Sequence, residues 1–333
     1  MSYNEKLIIN KYKKLKPMIS KITKNLKFYQ VIIFLIILFS IVFFSTRPPY
    51  SKGIFWQVSK DGQIVGHIYG TLHTNDEKIT RVNKKVMEIF NNSVGYSIEA
   101  FPSSHLWSPY HGFEDIKKKM MYEDKTLADV VGNKTANEVY KILTKNGVTE
   151  EYAKKIKPWA AMFSLGSKSK HTGPILDNKL LDLAAIQNKE IYQIETPEEL
   201  LAAFYQMPID SQTELLKLKI KNYPNNDQVL KKMIDAYLEE DLVGLINEST
   251  SFVDKSNLEQ NKHLQVYLKH SLYDRNIVMA HYMLMPFLYG LDRYKGQGGT
   301  FVSVGAIHLV GEKGVLSLLE KQYGFEIKRI KLM

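Results

Sequence analysis

Residues Phe28 to Phe44 read FYQVIIFLIILFSIVFF, and no charged side chain interrupts these 17 positions. As a helix the run is roughly 25 Å long, the short end of a bilayer crossing. Eight lysines precede it, the last at Lys27, against Glu5 alone. The positive-inside rule then places the N-terminus in the cytoplasm and the bulk of the chain in the periplasm or outside the cell. A cleaved signal peptide would need small residues after the apolar run, and SIVFFSTRPPYS has no A-x-A pattern, so a retained anchor is the favoured reading. A buried soluble helix fits poorly beside so many lysines. Arg47-Pro48-Pro49 stops the helix and starts an extended linker. The organisation read from this is a basic cytoplasmic tail at 1–27, a single transmembrane signal anchor at 28–45, a linker at 46–53 and an outer domain at 54–333.

Charge must be divided along the same boundary. The first 52 residues carry ten Lys and Arg against one Glu, so +9 of the net +10 sits there and the rest of the chain is close to neutral. A nucleic-acid-binding domain would carry its own basic stripe, so no nucleic-acid partner is expected. The tail suits the anionic inner face of a membrane instead. With no cysteine, disulfides, thiol nucleophiles, zinc–thiolate sites and iron–sulfur clusters are excluded. The 44% apolar content is enough for a large core.

Within the outer domain, IFWQV (54–58) and IVGHIY (64–69) read as two strands joined by an Asp61-Gly62 turn. A helix is expected at 80–91 and a strand at 94–99. The stretch from 105 to 295 reads as mostly helical, with candidates at 114–121, 125–145, 149–156, 158–166, 175–188, 197–206, 210–220, 227–238, 240–250 and 260–290. A short strand at 191–194 falls among them, followed by Thr196 as a helix N-cap with Pro197 in the first turn. Strand, helix and strand return at 300–304, 312–323 and 325–330. The fold class is therefore α/β (α+β): a mixed central sheet with a large helical insertion, preceded by one N-terminal transmembrane helix.

Two G-x-x-H elements, Gly70–His73 and Gly305–His308, each follow an apolar strand. Strand ends fix side chains rigidly, and they meet only if the two strands are neighbours in one sheet. Glu99 ends the third apolar run. Two histidines and a glutamate suit a divalent metal such as Mn²⁺, Co²⁺ or Zn²⁺, and Glu99 could equally act as general base. Ordinary turn histidines and a paired strand-end carboxylate are the plainer alternatives. Arg275 sits in an apolar helical stretch, where burial would demand an anionic partner such as Glu99 or a substrate group. Exposed pairing with Asp274 or Asp292 is its plainer alternative. His67 alternates within a strand and reads as structural. No H-E-x-x-H, G-x-S-x-G, Walker A or G-x-G-x-x-G pattern occurs.

YGTLHTND and FVSVGAIHLVGEKGVLSLLEKQYGFEIKRI resemble the two signatures of the TraB/PrgY/GumN family, to which the Tiki metalloproteases are related. Ile98-Glu99, Lys157-Pro158-Trp159, Leu176-Asp177, Ile194-Glu195-Thr196-Pro197 and Asp274-Arg275-Asn276 fit the same order. The resemblance implies a TraB/GumN-like domain of two pseudo-related halves around the sheet. It also implies a site of His73, His308, Glu99 and Arg275: the first three bind a divalent metal, Mn²⁺ or Co²⁺ ahead of Zn²⁺, and Glu99 and Arg275 serve catalysis. The implied activity is membrane-anchored, metal-dependent hydrolysis of peptides outside the cytoplasm. The rivals are a non-catalytic peptide-capturing inhibitor of the same fold and a hydrolase of non-peptide esters. The oligomeric state is not legible.

Overall fold

Two of the four sequence-predicted strands nearest the G-x-x-H elements form a hairpin, and the Asp61-Gly62 turn explains its tightness. Both turn residues have positive φ, 50° and 74°, the geometry that matches strand twist in a two-residue loop. In the computed structural model, which describes residues 47–100, 118–165, 173–293 and 299–332, the hairpin is β1 (Phe55–Lys60) and β2 (Gln63–Thr71). The expected tail and span at 1–45 lie outside the described residues, as does the start of the helix expected at 114–121. Among the described residues no helix is long and apolar enough to cross a membrane. Residues 49–333 cluster as one compact unit. The last linker residues are laid onto it: Gly311 N donates to Pro49 O (2.8 Å), Leu242 N to Ser51 O (3.1 Å) and Gly53 N to Glu240 O (2.9 Å).

The sheet has six strands in the order β4-β3-β5-β2-β1-β6, adding β3 (Gly95–Ile98), β4 (Glu190–Gln193), β5 (Thr300–Gly305) and β6 (Glu326–Arg329). β4, β3, β5 and β2 run parallel, and β1 lies antiparallel between β2 and β6. Every residue of β3 and β5 is buried, as expected for parallel strands covered on both faces. The two G-x-x-H strands are direct neighbours, with Gly70 opposite Val304 and Thr71 opposite Gly305.

Side-chain alternation sorts the two faces. One carries aromatic rings: Phe301 meets Phe90 of helix α1 (Lys84–Asn92) at 5.2 Å and Phe55 at 6.0 Å, and Phe90 meets Tyr96 at 5.7 Å. The opposite face is so crowded at Gly66 that an added Cβ would stand 2.3 Å from Thr300 O and 2.7 Å from Phe287.

The helical insertion builds its own core. Leu127, Leu143, Ala153, Trp159, Leu215 and Leu264 pack together from α2 (Leu127–Val131), α3 (Asn133–Lys145), α4 (Glu150–Lys155), α5 (Pro158–Ser164), α8 (Ile209–Asn222) and α11 (Leu258–Leu268). Between these run α6 (Leu176–Ile186), α7 (Pro197–Tyr205), α9 (Asn226–Leu238) and α10 (Leu242–Ser249). Thr196 caps α7 as expected, accepting from Glu199 N while Glu199 reaches back to Thr196 N.

Three expected helices are broken. The one at 80–91 begins as α1 only at Lys84, because Asn83 caps it by accepting from Lys85 N. The one at 125–145 divides at Gly132, whose φ of 82° ends α2. The one at 260–290 becomes α11, a wide π turn at Lys269–Asp274, α12 (Arg275–Tyr282) and α13 (Leu284–Arg293). The last helix, α14 (Val315–Tyr323), starts three residues later than expected and ends at Gly324 with φ 66°.

Gly66→Ala is expected to lower stability by about 2–3 kcal/mol through backbone overpacking, measured by urea unfolding. His67 is buried and stacked on Phe55 at 5.8 Å, and burial pushes its pKa down from 6.5 to about 4. The unfolded chain therefore takes up a proton that the folded one refuses between these values. Stability should be complete above pH 6.5 and fall as pH drops toward 4, with a shallower fall in His67→Phe.

Candidate functional site

Because four adjacent strands are parallel, their carboxyl ends share one edge of the sheet, the usual place for a site in such folds. Each delivers a polar residue there. His73 follows β2, Glu99 follows β3, Glu195 follows β4 and His308 follows β5 in a tight turn at Ala306–His308. Gly305 makes room for the carboxylate: its N–H donates to Glu99 Oε2 at 2.8 Å, and a Cβ would crowd that oxygen at 3.3 Å.

Onto this edge α12 projects Arg275, 7% exposed. Its Nε–H donates to Glu195 Oε1 (2.8 Å), and Nη2 donates to Glu195 Oε2 (2.7 Å) and to Glu99 Oε1. Nη1 donates to Ser271 O (3.2 Å) and to His308 Nε2 (3.3 Å). All five N–H groups of the guanidinium are thereby committed inside the site. The π turn before Arg275 supplies Ser271 O, and such turns recur at functional positions. Glu99 is the partner expected for Arg275; Asp274, the plainer alternative, pairs with Lys269 at 2.6 Å instead.

Both histidines have fixed tautomers. Asn276 Nδ2 donates to Lys313 O (2.7 Å), which turns its Oδ1 toward His308 Nδ1 (2.6 Å), so Nδ1 carries the proton. Asp177 at the start of α6 accepts from Thr71 Oγ1 (2.7 Å) and from His73 Nδ1 (3.1 Å). The two Nε2 atoms each lie 3.9 Å from a Glu99 carboxylate oxygen, and that of His308 also accepts from Arg275.

Burial pushes the Glu99 carboxyl up, but Arg275, His308, His73 and the Gly305 N–H outweigh it and hold it well below the usual carboxylate range. Glu99 is thus a persistent anion and, in this state, a poor proton acceptor. Burial and Arg275 push His308 down to about 3, keeping it neutral. Packing lowers the His73 pKa, and Asp177 and Glu99 reverse that to a net rise. The His73 side chain is 53% exposed to the cleft, so water damps both effects. Burial raises Glu195 against the opposing pull of Arg275.

The donor set fits a divalent cation in three respects. Nitrogen and carboxylate ligands suit Mn²⁺, Co²⁺ or Zn²⁺. Nδ1 contacts to a carboxylate and an amide oxygen are the outer partners that orient ligating histidines. His308 is already neutral, and once His73 gives up its proton to ligate, Glu99, Glu195 and Asp177 against Arg275 would leave the site two negative charges in excess. The 3.9 Å separations exceed the ~3.0–3.4 Å between ligands each ~2.1 Å from one metal. Accordingly, no cluster of three His, Asp or Glu among the described residues closes on a cation position, and Arg275 shares His308 Nε2.

The fold brings together all four residues singled out in the sequence. Glu195, Asp177 and Asn276 escaped notice as site residues: Glu195 reads as part of a helix start, and Asp177 and Asn276 stand only among the residues that carry the resemblance. The repeated Ile-Glu at Ile98-Glu99 and Ile194-Glu195, each just past a strand, was the available signal for Glu195.

The sequence model of the TraB/PrgY/gumN family matches residues 54–329. No curated protein and no solved structure matches the chain.

Arg275→Met leaves Glu99 and Glu195 buried without their cation and should cost about 3–5 kcal/mol in urea unfolding. Arg275→Met/Glu195→Gln should recover part of that loss, a coupling read from the double-mutant cycle.

Proposed function

This chain belongs to the TraB/PrgY/gumN family, and from that premise we propose that its outer domain is a metal-dependent hydrolase, a peptidase for peptides outside the cytoplasm. The observation that carries the reading is the convergence of Glu99, Glu195 and His308 on one buried guanidinium, with His73 beside Glu99 and each histidine held at Nδ1. Anchoring through residues 28–45 belongs to the same proposal and rests on the apolar run and the lysines before it.

His73 Nε2, His308 Nε2 and Glu99 would hold the cation, Mn²⁺ or Co²⁺ ahead of Zn²⁺. Bound there, it would supply Lewis-acid activation of water and of a carbonyl. Arg275 works behind that layer. With every N–H committed, it keeps Glu99 ionised and aimed, rather than reaching out to substrate. His73 is the member of the set that faces the open cleft, and its Nδ1–H bond to Asp177 orients the ring so that Nε2 would be free to ligate.

One observation favours a second reading. Arg275 Nη1 already bonds His308 Nε2, which suits a hydrolase that uses His73 and Asp177 as a base pair without metal. A peptide-capturing protein without catalysis is the third.

Elemental analysis of the full chain in detergent micelles, beside His73→Ala/His308→Ala, separates the first two. Peptide mixtures incubated with Mn²⁺, Co²⁺ or Zn²⁺ in ¹⁸O-water and read by mass spectrometry test hydrolysis directly. Stoichiometric metal lost in the variant, with ¹⁸O entering new carboxyl termini and a rate at least about 100-fold lower in the variant, is expected. Cleavage without bound metal supports the base-pair reading, and no cleavage under any condition overturns the hydrolase.

A further inference from the structure

Beside His73 the sheet edge opens into a cleft of about 340 Å³, at the lower end of pockets that hold small ligands. α8 contributes Lys219, α9 contributes Leu230 and Met233, and the chain after α10 contributes Phe252. Ile307, next to His308, closes the end nearest the site. These apolar side chains are half-buried, so the cleft wall is apolar surface that the protein itself leaves partly uncovered. Water held against it is displaced favourably by an apolar group.

One cation stands out in this wall. Lys219 is half-buried, with Nζ 5.3 Å from the Phe252 ring centre, and among the described residues it has no ion-pair partner. The carboxylate that lines the same cleft, Glu248, pairs instead with Lys232 at 3.6 Å. A single ammonium in a cleft also lined by Glu248 suits a singly charged anion and disfavours a dianion such as phosphate. Asn226 Nδ2 is used on Leu165 O (3.0 Å) and Asn222 Oδ1 on Asn225 Nδ2 (3.0 Å). Asn226 Oδ1 and Asn222 Nδ2 thus remain as an acceptor and a donor, the pair that a peptide group requires.

We propose that this cleft selects the substrate of the site: it takes a large apolar side chain of a peptide against Leu230, Met233, Phe252 and Ile307, and a carboxylate of the same peptide at Lys219, with the bond to be cut at His73. This deepens the peptidase reading and rests on it for the last clause alone. Lys219 is a specificity residue, carried by α8 and making none of the hydrogen bonds of the sheet-edge site.

The test is fluorescence anisotropy on the full chain in micelles with N-terminally labelled Ala-Ala-Phe-Leu. The free acid, its C-terminal amide, the amide extended by one glutamate, and the free acid of Ala-Ala-Ser-Ser are compared. Wild type, Lys219→Ala and Lys219→Arg are measured side by side, with unfolding midpoints confirming that the variants fold. The free acid of the apolar peptide should bind about fivefold tighter than its amide. That preference should vanish in Lys219→Ala and persist in Lys219→Arg. The Ser-Ser peptide should bind at least about tenfold more weakly. Recovery of affinity by the glutamate-extended amide would assign the carboxylate to an acidic side chain, and no recovery would assign it to the chain terminus. Equal binding of acid and amide, a preference surviving in Lys219→Ala, or no loss with Ser-Ser overturns the proposal. The expected binding pattern without cleavage would overturn the hydrolase and leave this selectivity standing, whereas cleavage without the preference would do the reverse.

Discussion

Arg275 is a permanent cation at the carboxyl edge of a parallel sheet, and the surrounding structure is arranged to keep it there. Burying a guanidinium costs far more than any one contact returns, so it persists only where fixed anions and acceptors use all its donors. Glu99 and Glu195 supply the charge, and Ser271 O and His308 Nε2 take the remaining N–H groups. Each partner depends on a different strand or turn. The ion cluster therefore ties β3, β4, the turn after β5 and the π turn before α12 into one unit. A slip in any strand register would leave a buried charge unpaired, which gives this edge of the sheet a single preferred arrangement.

Around that cluster lies a second layer that decides chemistry rather than charge. Asp177 and Asn276 each hold one histidine by Nδ1, and both are themselves held: Asp177 by Thr71, and Asn276 through its amide on Lys313 O. The two histidines end in opposite conditions. His308 is sealed and neutral, while His73 stands at the cleft with its affinity for a positive charge raised by Asp177 and Glu99. A site with one closed and one open histidine has a direction, from the sealed sheet edge out toward the helices. The cleft wall on that side draws on two cores: Leu230 and Met233 pack against the core of the sheet, and Phe252 against the core of the helical insertion.

Much of this was legible in the chain. The hairpin announced itself by alternation and Asp61-Gly62, and β5 and β3 by short runs that are mostly apolar. α7 was marked by Thr196-Pro197 and its glutamates. His73, His308, Glu99 and Arg275 were picked out by residue type and by position after strands. What misled were helices whose apolar pattern continued through a break. Gly132, Asn83 and the π turn at Lys269–Asp274 interrupt them through backbone geometry that hydrophobic spacing does not record.

The sequence alone determined which residues could matter, because strand periodicity and strand-end position are local properties carried by neighbouring residues. It also carried the apolar run at 28–44 and the eight lysines before it, on which the proposed anchor rests. Only the tertiary structure decided how the candidates divide the work. Glu195 reads in the chain as part of a helix start, and it becomes the second anion of Arg275 because β4 lies beside β3 in the same direction. The commitment of every Arg275 donor, the opposite shifts of the two histidines and the half-buried Lys219 in the cleft wall depend on distances between groups far apart in the chain. Electrostatic energy and desolvation are set by those distances and by burial, and neither is encoded in any local window of sequence.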